Sequence, residues 1–421
     1  MLITFLLLLV YRLGKHIPMP GLDAKEIIDF MARQTQGTLL SLYDMFTGGA
    51  FSHVTLFALG IMPYITSSII IQMLVYVIPE FKKLHDEGER GHKVLTQYTR
   101  YGTILICILQ SIAYAVWIRN LNLQQGQGII TIDPGLFTFV AILTFTTGTV
   151  FLMWLGETIT EVGIGNGISL IILVGIIARI IPDTGQLAAK GAISIMQIVL
   201  LVVIIFIVTA ASVLLTLGAR KIPIMYPKRI QGRKIVQGAR NYLPLRINSA
   251  SVIPVIFAQS VLMIPATVQM VIKNEAVHTF IQKWMGPTTP LYIVLYFILT
   301  VLFTFFYTAI TFNPEDVADN LQKYGGFIQG KRPGKVTADF LSTVLNRITF
   351  IGGLMLAIIA VLPQIIMQIF DLQGELAMLF GGTSLLIIVG VVLDTAQQIE
   401  GQLIMRHYEG FSKRRIKSRH I

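Results

Sequence analysis

The chain has one cysteine, few charges and no motif that would hold a nucleotide or a catalytic metal. Its single thiol, Cys107, lies inside an apolar run. One cysteine can build neither a disulfide framework nor a Cys/His metal cluster, so Cys107 is expected to be a small core residue. No His-Glu-x-x-His sequence is present. Gly163-Ile164-Gly165-Asn166-Gly167 is as glycine-rich as a nucleotide loop, but it follows no strand and departs from GxGxxG spacing. It is expected to be a flexible lead into the next apolar run. Gly330-Lys331-Arg332-Pro333-Gly334-Lys335-Val336 is one residue short of a phosphate loop, and Val336 offers no hydroxyl to magnesium. Nothing here reads as an enzyme or an ATPase. Energy for any work must come from a partner or a gradient.

Charge is scarce as well. Only 13% of the 421 residues are Asp, Glu, Lys or Arg, against 54% hydrophobic, and the mean hydropathy is +0.71. These values belong to polytopic membrane proteins. The ionisable candidates within apolar runs are Arg12, Glu157 and Asp394, all near run ends. Ion-coupled carriers keep such groups near the midplane, so this placement argues against a proton relay.

What is abundant is long apolar runs. About ten are near the length a bilayer demands: Leu2–Ile17, Ile61–Ile78, Thr103–Trp117, Leu136–Leu155, Ile168–Ile181, Ile195–Leu217, Val252–Ile272, Leu291–Phe312, Ile348–Ile369 and Leu376–Thr395. The first lacks a basic leader and a small-residue cleavage site, so it is read as a retained span. Because the chain opens abruptly at that span, a cytoplasmic leader is expected to be missing ahead of it. Net charge is +11. Of the 33 Lys and Arg, 24 fall on one side when the loops after spans 2, 4, 6 and 8 are grouped with the C-terminal tail. The positive-inside rule then puts both termini in the cytoplasm.

Two of those loops are long. Residues 219–247 hold eight basic residues and no acidic one; residues 313–346 mix charges. Topology anchors near lipid headgroups need only a few charges, so a docking surface for an anionic partner, ribosomal RNA or an acidic protein face, fits better. The expected fold is all-α, with ten transmembrane helices in two five-span halves, the second inverted. The halves are 1–181 and 193–396, joined by a linker at 182–192 and followed by a basic tail at 397–421.

The organising stretch runs from Gly48 to Pro79. A short apolar segment, too brief to cross, is followed by a break at Gly60 and Pro63 and then by the second span. Broken backbone at membrane depth survives only inside protein or beside a water-filled cavity. A pore or cavity is therefore expected, with a short element dipping into it. Ile61 and Ile65 share a helix face, as do Ile168 and Ile172. Ile256 follows Pro254, and Ile387 sits mid-run. Periodicity alone leaves open whether these isoleucines meet lipid, core or pore.

Several stretches match a known family. They are Tyr11-Arg12-Leu13-Gly14 with Ile17-Pro18-Met19-Pro20-Gly21, Phe57-Ala58-Leu59-Gly60-Ile61-Met62-Pro63-Tyr64-Ile65, Gln97-Tyr98-Thr99-Arg100-Tyr101-Gly102 and Met153-Trp154-Leu155-Gly156-Glu157. Further on come Gly163 to Ser169, Leu243-Pro244-Leu245, Asn313-Pro314, Ala318-Asp319-Asn320-Leu321, Arg332-Pro333-Gly334 and Gly381 to Leu386. On these motifs, which span nearly the whole chain, it resembles the bacterial SecY family of protein-conducting channel subunits. Members usually carry a short cytoplasmic segment before span 1.

The resemblance implies a clamshell of two halves around an hourglass pore. It implies that Ile61, Ile65, Ile168, Ile172, Ile256 and Ile387 form the ring at the waist. It makes residues 41–59 a plug hinged at Gly48 and Gly49. Spans 2 and 3, facing spans 7 and 8, become a lateral gate that includes Ile264. Arg233, Lys234, Lys331 and Arg332 become contacts for a motor ATPase and the ribosome. Gln72 and Gln259, in spans 2 and 7, are expected to bond across the closed gate. The implied partners are SecE, SecG, SecA, the ribosome, signal sequences with their nascent chains, and lipid, in a bacterial plasma membrane. A ten-span small-solute secondary transporter is the alternative. It leaves the plug-like segment and the long loops unexplained.

Overall fold

The computed structural model describes residues 1–23, 39–125, 130–189, 195–226, 229–231, 234–236, 240–272, 274–286, 289–369 and 382–417. Each of the ten apolar runs carries a helix. The N-terminal five are α1 (Leu2–Gly14), α3 (Met62–Val77), α5 (Glu89–Gln125), α6 (Pro134–Val162) and α7 (Gly167–Ala189). The C-terminal five are α8 (Ile195–Leu217), the pair α9 (Ile253–Leu262) and α10 (Ile264–Val271), α12 (Pro290–Thr311), α14 (Lys335–Ile369) and α15 (Gly382–Lys417). Short helices lie between them: α2 (Leu39–Phe46), α4 (Pro79–Asp86), α11 (Glu275–Trp284) and α13 (Pro314–Lys323).

Six of the described helices are long and apolar enough to cross a membrane, and a seventh qualifies if Met62–Val77 is joined to Pro79–Asp86 across their 100° bend. Leu2–Gly14, Gly167–Ile180 and Val202–Leu217 are apolar but shorter over the described residues. Prolines explain the interruptions. Pro79 starts α4 and Pro265 is the second residue of α10, because a proline lacks the N–H that would continue the preceding helix and is pre-shaped for a new first turn. The expected linker at 182–192 is helical through residue 189; residues 190–194 lie outside the described residues.

The bundle is turned inside out relative to a water-soluble protein. On α12, Thr300, Thr304 and Thr308 are buried, each hydroxyl donating to the carbonyl four residues earlier at 2.7 Å. On the same helix Val294, Ile298 and Leu302 are about half exposed. Apolar flanks and self-satisfied polar groups inside are what a hydrocarbon solvent selects. This is a multi-pass membrane protein.

The two halves meet along two seams. On one side α3 packs on α9 and α5 on α10; on the other α7 packs on α15. Ring contact between Tyr76 and Phe306, at 5.3 Å, extends the first seam to α12.

The two long loops contribute strands, which the all-α expectation did not include. Strand β1 (Ala219–Met225) pairs antiparallel with β4 (Arg240–Arg246), Ala219 opposite Arg246. Its other edge takes β5 (Phe327–Ile328) from the second loop, Ile224 opposite Ile328. Strands β2 (Arg229–Gln231) and β3 (Lys234–Val236) form a separate pair. Ile222, Leu245, Ile328, Leu341 and Val344 make a small core beneath the three-stranded sheet. The loops are therefore one body.

Close backbone approach fixes the N-terminal half. A Cβ on Gly148 of α6 would sit 2.1 Å from the Leu56 carbonyl oxygen, and one on Gly14 of α1 would sit 2.3 Å from the Phe57 ring. Gly148→Ala is expected to destabilise by about 1–3 kcal/mol through overpacking. Gly401→Ala, where nothing lies within 4 Å, should be neutral or stabilise by up to ~1 kcal/mol through helix propensity. Thermal midpoints in detergent compare the two; equal midpoints would contradict the packing argument.

Candidate functional site

The residues from Leu39 to Ile61 form a short helix and a run of turns at the heart of the N-terminal half. Leu39, Leu42, Tyr43, Met45, Phe46, Ala50, Phe51, Val54, Phe57 and Ala58 are all buried. Irregular backbone in a water-poor interior needs internal partners, and it has them. Gly49 N–H donates to the Asp44 carbonyl at 2.7 Å, Thr55 to Ala50 at 3.2 Å and Gly60 to Phe57 at 2.8 Å. Side chains complete the set: Phe51 N–H donates to Thr47 Oγ1 at 3.2 Å, and Ser52 N–H donates to Asp44 Oδ1 at 2.7 Å.

Surrounding helices grip the same segment. Tyr114 of α5 donates its hydroxyl to the Phe51 carbonyl at 2.6 Å, and its ring lies 4.6 Å from that of Phe51. Lys15, just after α1, donates to the Gly48 carbonyl. Ser384, at the start of α15, donates to Met45 Sδ at 3.0 Å, a contact between the halves. Gly48 and Gly49 have φ of +66° and +86°, and a Cβ on Gly48 would lie 2.8 Å from Gly175 Cα of α7. Both turn geometry and close approach require glycine there.

The segment also carries a buried charge that the list of intramembrane ionisable groups missed. The Asp44 carboxylate is fully buried and pairs with Arg179 of α7, whose side chain keeps 25% exposure. An arginine inside the last turns of an apolar run, and a lone aspartate in a short apolar segment, were the available signals. Two of the groups that the sequence did single out have partners close by. Glu157 takes a two-pronged ion pair from Arg100 of α5, with contacts of 2.8–3.2 Å, and Asp394 accepts from Ser251 Oγ at 2.6 Å.

The six isoleucines come from both halves. Ile61 immediately precedes α3, Ile65 lies on α3, Ile168 and Ile172 on α7, Ile256 on α9 and Ile387 on α15. Five are buried, none exposing more than 5%, and Ile168 is half-buried. All belong to or pack against one continuous hydrophobic cluster. None lies on the exposed apolar flanks.

The gate residues turn out differently from expectation. Gln72 and Gln259 do not bond to each other. Gln72 Nε2 donates to Ser68 Oγ on its own helix at 3.0 Å. Gln259 Nε2 donates to the Tyr292 hydroxyl of α12 at 2.9 Å, within its own half. Each amide found a nearer partner, one turn away or on a neighbouring helix. Gln72 Oε1 stays buried without one, beside a cavity of about 270 Å³ lined by Tyr64, Ser68, Tyr76, Thr99 and Tyr307. Ile264 begins α10 and is 49% exposed.

Of the four basic loop residues, Arg233 lies outside the described residues. Lys234 opens β3 opposite Gln231. Lys331 is exposed with its ammonium 5.3 Å from the Phe340 ring centre, and Arg332 is exposed while its carbonyl accepts from Thr337 Oγ1 at 2.7 Å.

The Gly163–Gly167 loop is not a nucleotide site. Gly165, at φ +87°, donates its N–H to Gln398 Oε1 of α15 at 2.9 Å, clipping the second seam. Beside it lies a cavity of about 410 Å³ lined by Asn166, Ser169, Arg246, Asp394 and Gln398.

The SecY family model matches residues 55–396. The chain is 45% identical to the protein translocase subunit SecY of Streptomyces griseus, over 98% of this chain and 96% of that protein. It is 42% identical to that of Escherichia coli K12, over 97% and 92%. Among solved structures, a protein conducting channel matches with a TM-score of 0.64 at 19% identity, covering 96% of this chain and 91% of that one. Sec61 in the canine ribosome-channel complex matches at 0.59 and 17%, with 96% and 91% covered.

Asp44→Ala leaves Arg179 without its carboxylate and Ser52 N–H without its acceptor. We expect a loss on the order of 2 kcal/mol, below the fully buried case because Arg179 is partly solvated. Asp44→Asn, which keeps an acceptor, should lose less. Thermal midpoints in detergent read this, and an unchanged midpoint for Asp44→Ala would contradict it.

Proposed function

The chain belongs to the SecY family, and from that membership we propose how its parts work as a protein-conducting channel. It makes and breaks no covalent bond; its work is to pass polypeptide across, or release it into, a membrane. The observation that carries the reading is that six isoleucines, drawn from both halves, five of them buried and Ile168 half-buried, belong to or pack against one apolar cluster.

A passage for polypeptide must refuse ions at rest. A narrow collar of branched aliphatic side chains does so without charge, because water is poorly accommodated there and a hydrated ion would lose its shell. Ile61, Ile65, Ile168, Ile172, Ile256 and Ile387 form this collar. They pack around any sequence that enters, whereas polar groups would bind particular side chains and stall them. Residues 41–59 act as a plug that adds a second barrier, with Gly48 and Gly49 as its hinge. The burial of that segment and its ties to Lys15, Tyr114 and Arg179 suit a seated state.

The seam of α3 and α5 against α9 and α10, with Ile264 at its edge, serves as the lateral gate. A segment sampling lipid there gains ~0.3–0.6 kcal/mol for each Leu, Ile or Phe, while a central Asp, Lys or Arg costs ~2.5–3.5. Long apolar stretches leave sideways and polar ones continue across. Gln72 and Gln259 act within their own halves, as polar groups flanking the seam. The loop body carrying Arg233, Lys234, Lys331 and Arg332 docks the SecA motor and the ribosome; the solved Sec61 relative comes from a ribosome-channel complex. SecE and SecG complete the assembly in a bacterial plasma membrane, with both termini cytoplasmic. The bacterial relatives and the basic loops support that placement.

Two outcomes test this. Vesicles holding the chain with its small subunits, motor and ATP should carry a secretory precursor into a protease-protected lumen; no protected precursor would overturn the reading. Ile65→Ser with Ile256→Ser should raise resting ion conductance of those vesicles several-fold, and an unchanged seal would contradict the collar.

A further inference from the structure

Helix α11 lies between the seventh and eighth spans and has three distinct faces. Val277, Ile281 and Met285, four residues apart, pack inward against the main hydrophobic cluster. Thr279, Gln282 and Lys283 are exposed and polar. Phe280 and Trp284, also four apart, are about half exposed. At ~100° per residue their stripe lies about 80° around the helix from the inward stripe. They therefore sit beside the packed face, not opposite it.

Hydrogen bonds close both ends of this helix. Asn274 caps its start, accepting from Ala276 N–H at 3.0 Å. At its end Thr289 Oγ1 donates to the Trp284 and Gly286 carbonyls, each at 2.8 Å, and Thr289 is itself the cap of α12. The spans on either side of this helix also expose apolar side chains: Val268 and Ile272 at the end of the seventh span, Leu291 and Val294 at the start of the eighth. Lys283 Nζ stands 5.9 Å from the Trp284 ring centre, with its stem free to lie along apolar surface and its ammonium in water.

We propose that α11 is an interfacial anchor, with Phe280 and Trp284 embedded at the headgroup–acyl boundary of the phospholipid bilayer and Lys283 reaching the headgroups. Aromatic rings with one wet edge concentrate at that depth, and an in-plane helix with an apolar flank and a polar back is built to lie there. The anchor fixes the outer end of the seventh span, whose α10 forms the outer part of the seam against α5. This inference rests on the bundle spanning a membrane and goes beyond the channel reading.

The test uses the full chain in vesicles of phosphatidylethanolamine and phosphatidylglycerol. Trp117→Phe with Trp154→Phe leaves Trp284 as the sole tryptophan. Its emission should be quenched several-fold more by lipids brominated near the carbonyls than by lipids brominated near the chain ends, and little by aqueous iodide. Quenching by iodide alone would place it in water, and quenching by neither would place it under protein, such as a partner subunit; either overturns the proposal. The companion variant that keeps only Trp154, exposed on α6, should be quenched by brominated lipid. If Trp154 is quenched and Trp284 is not, the anchor fails while the membrane reading stands; if neither is, both fail. Should the double variant fold poorly, Trp284→Phe in the otherwise native chain must remove the shallow-quenched component, and its persistence would overturn the proposal.

Discussion

Non-helical backbone in the middle of a membrane protein must find all its hydrogen-bond partners within the chain. That constraint shapes everything around residues 47–61. The segment bonds to itself through tight turns, uses Thr47 and Asp44 as acceptors, and its carbonyls accept from Tyr114 and Lys15. Helices can serve it only by coming close, which is why Gly14 and Gly148 stand where side chains would collide with it. The pieces that make the segment possible are the pieces that hold it in place.

The same solvent explains the rest of the architecture. Lipid rewards apolar flanks and penalises unpaired polar groups, so the buried threonines of α12 bond to their own helix and Asp44 and Glu157 each pair with an arginine. Among the described residues, polar ties between the halves include Gly165 to Gln398 on one seam and Ser384 to Met45 near the centre. The halves also meet through apolar packing, which is non-directional. An apolar contact can open and reseal without leaving a stranded hydrogen bond. That property is what a protein-conducting channel needs at both its waist and its side.

Much of the fold was legible because lipid imposes a length on helices. Among the described residues each of the ten apolar runs carries a helix over at least part of its length, and Gly60 and Pro63 marked the break ahead of the second span. The role of the isoleucines was legible only by resemblance, since isoleucine at helical spacing suits lipid, core and pore alike. Gln72 and Gln259 were mispaired because an amide bonds to whatever is nearest, and sequence does not rank Ser68 or Tyr292 against a partner across the seam. Asp44 and Arg179 escaped notice because they lie far apart in the chain and pair only through the turn after α2. The loop sheet was missed because strands β1 and β5 belong to different loops, and neither has enough apolar alternation to signal alone.

The most direct test of the collar is contact with a chain in transit. In a Cys107→Ala background, single cysteines at positions 61, 65, 168, 172, 256 and 387 are challenged with a precursor arrested midway and carrying one cysteine. The account predicts disulfide crosslinks at the six collar positions and none at the lipid-facing positions 105 and 109 of α5. Crosslinks at 105 and 109, with the six silent, would contradict it.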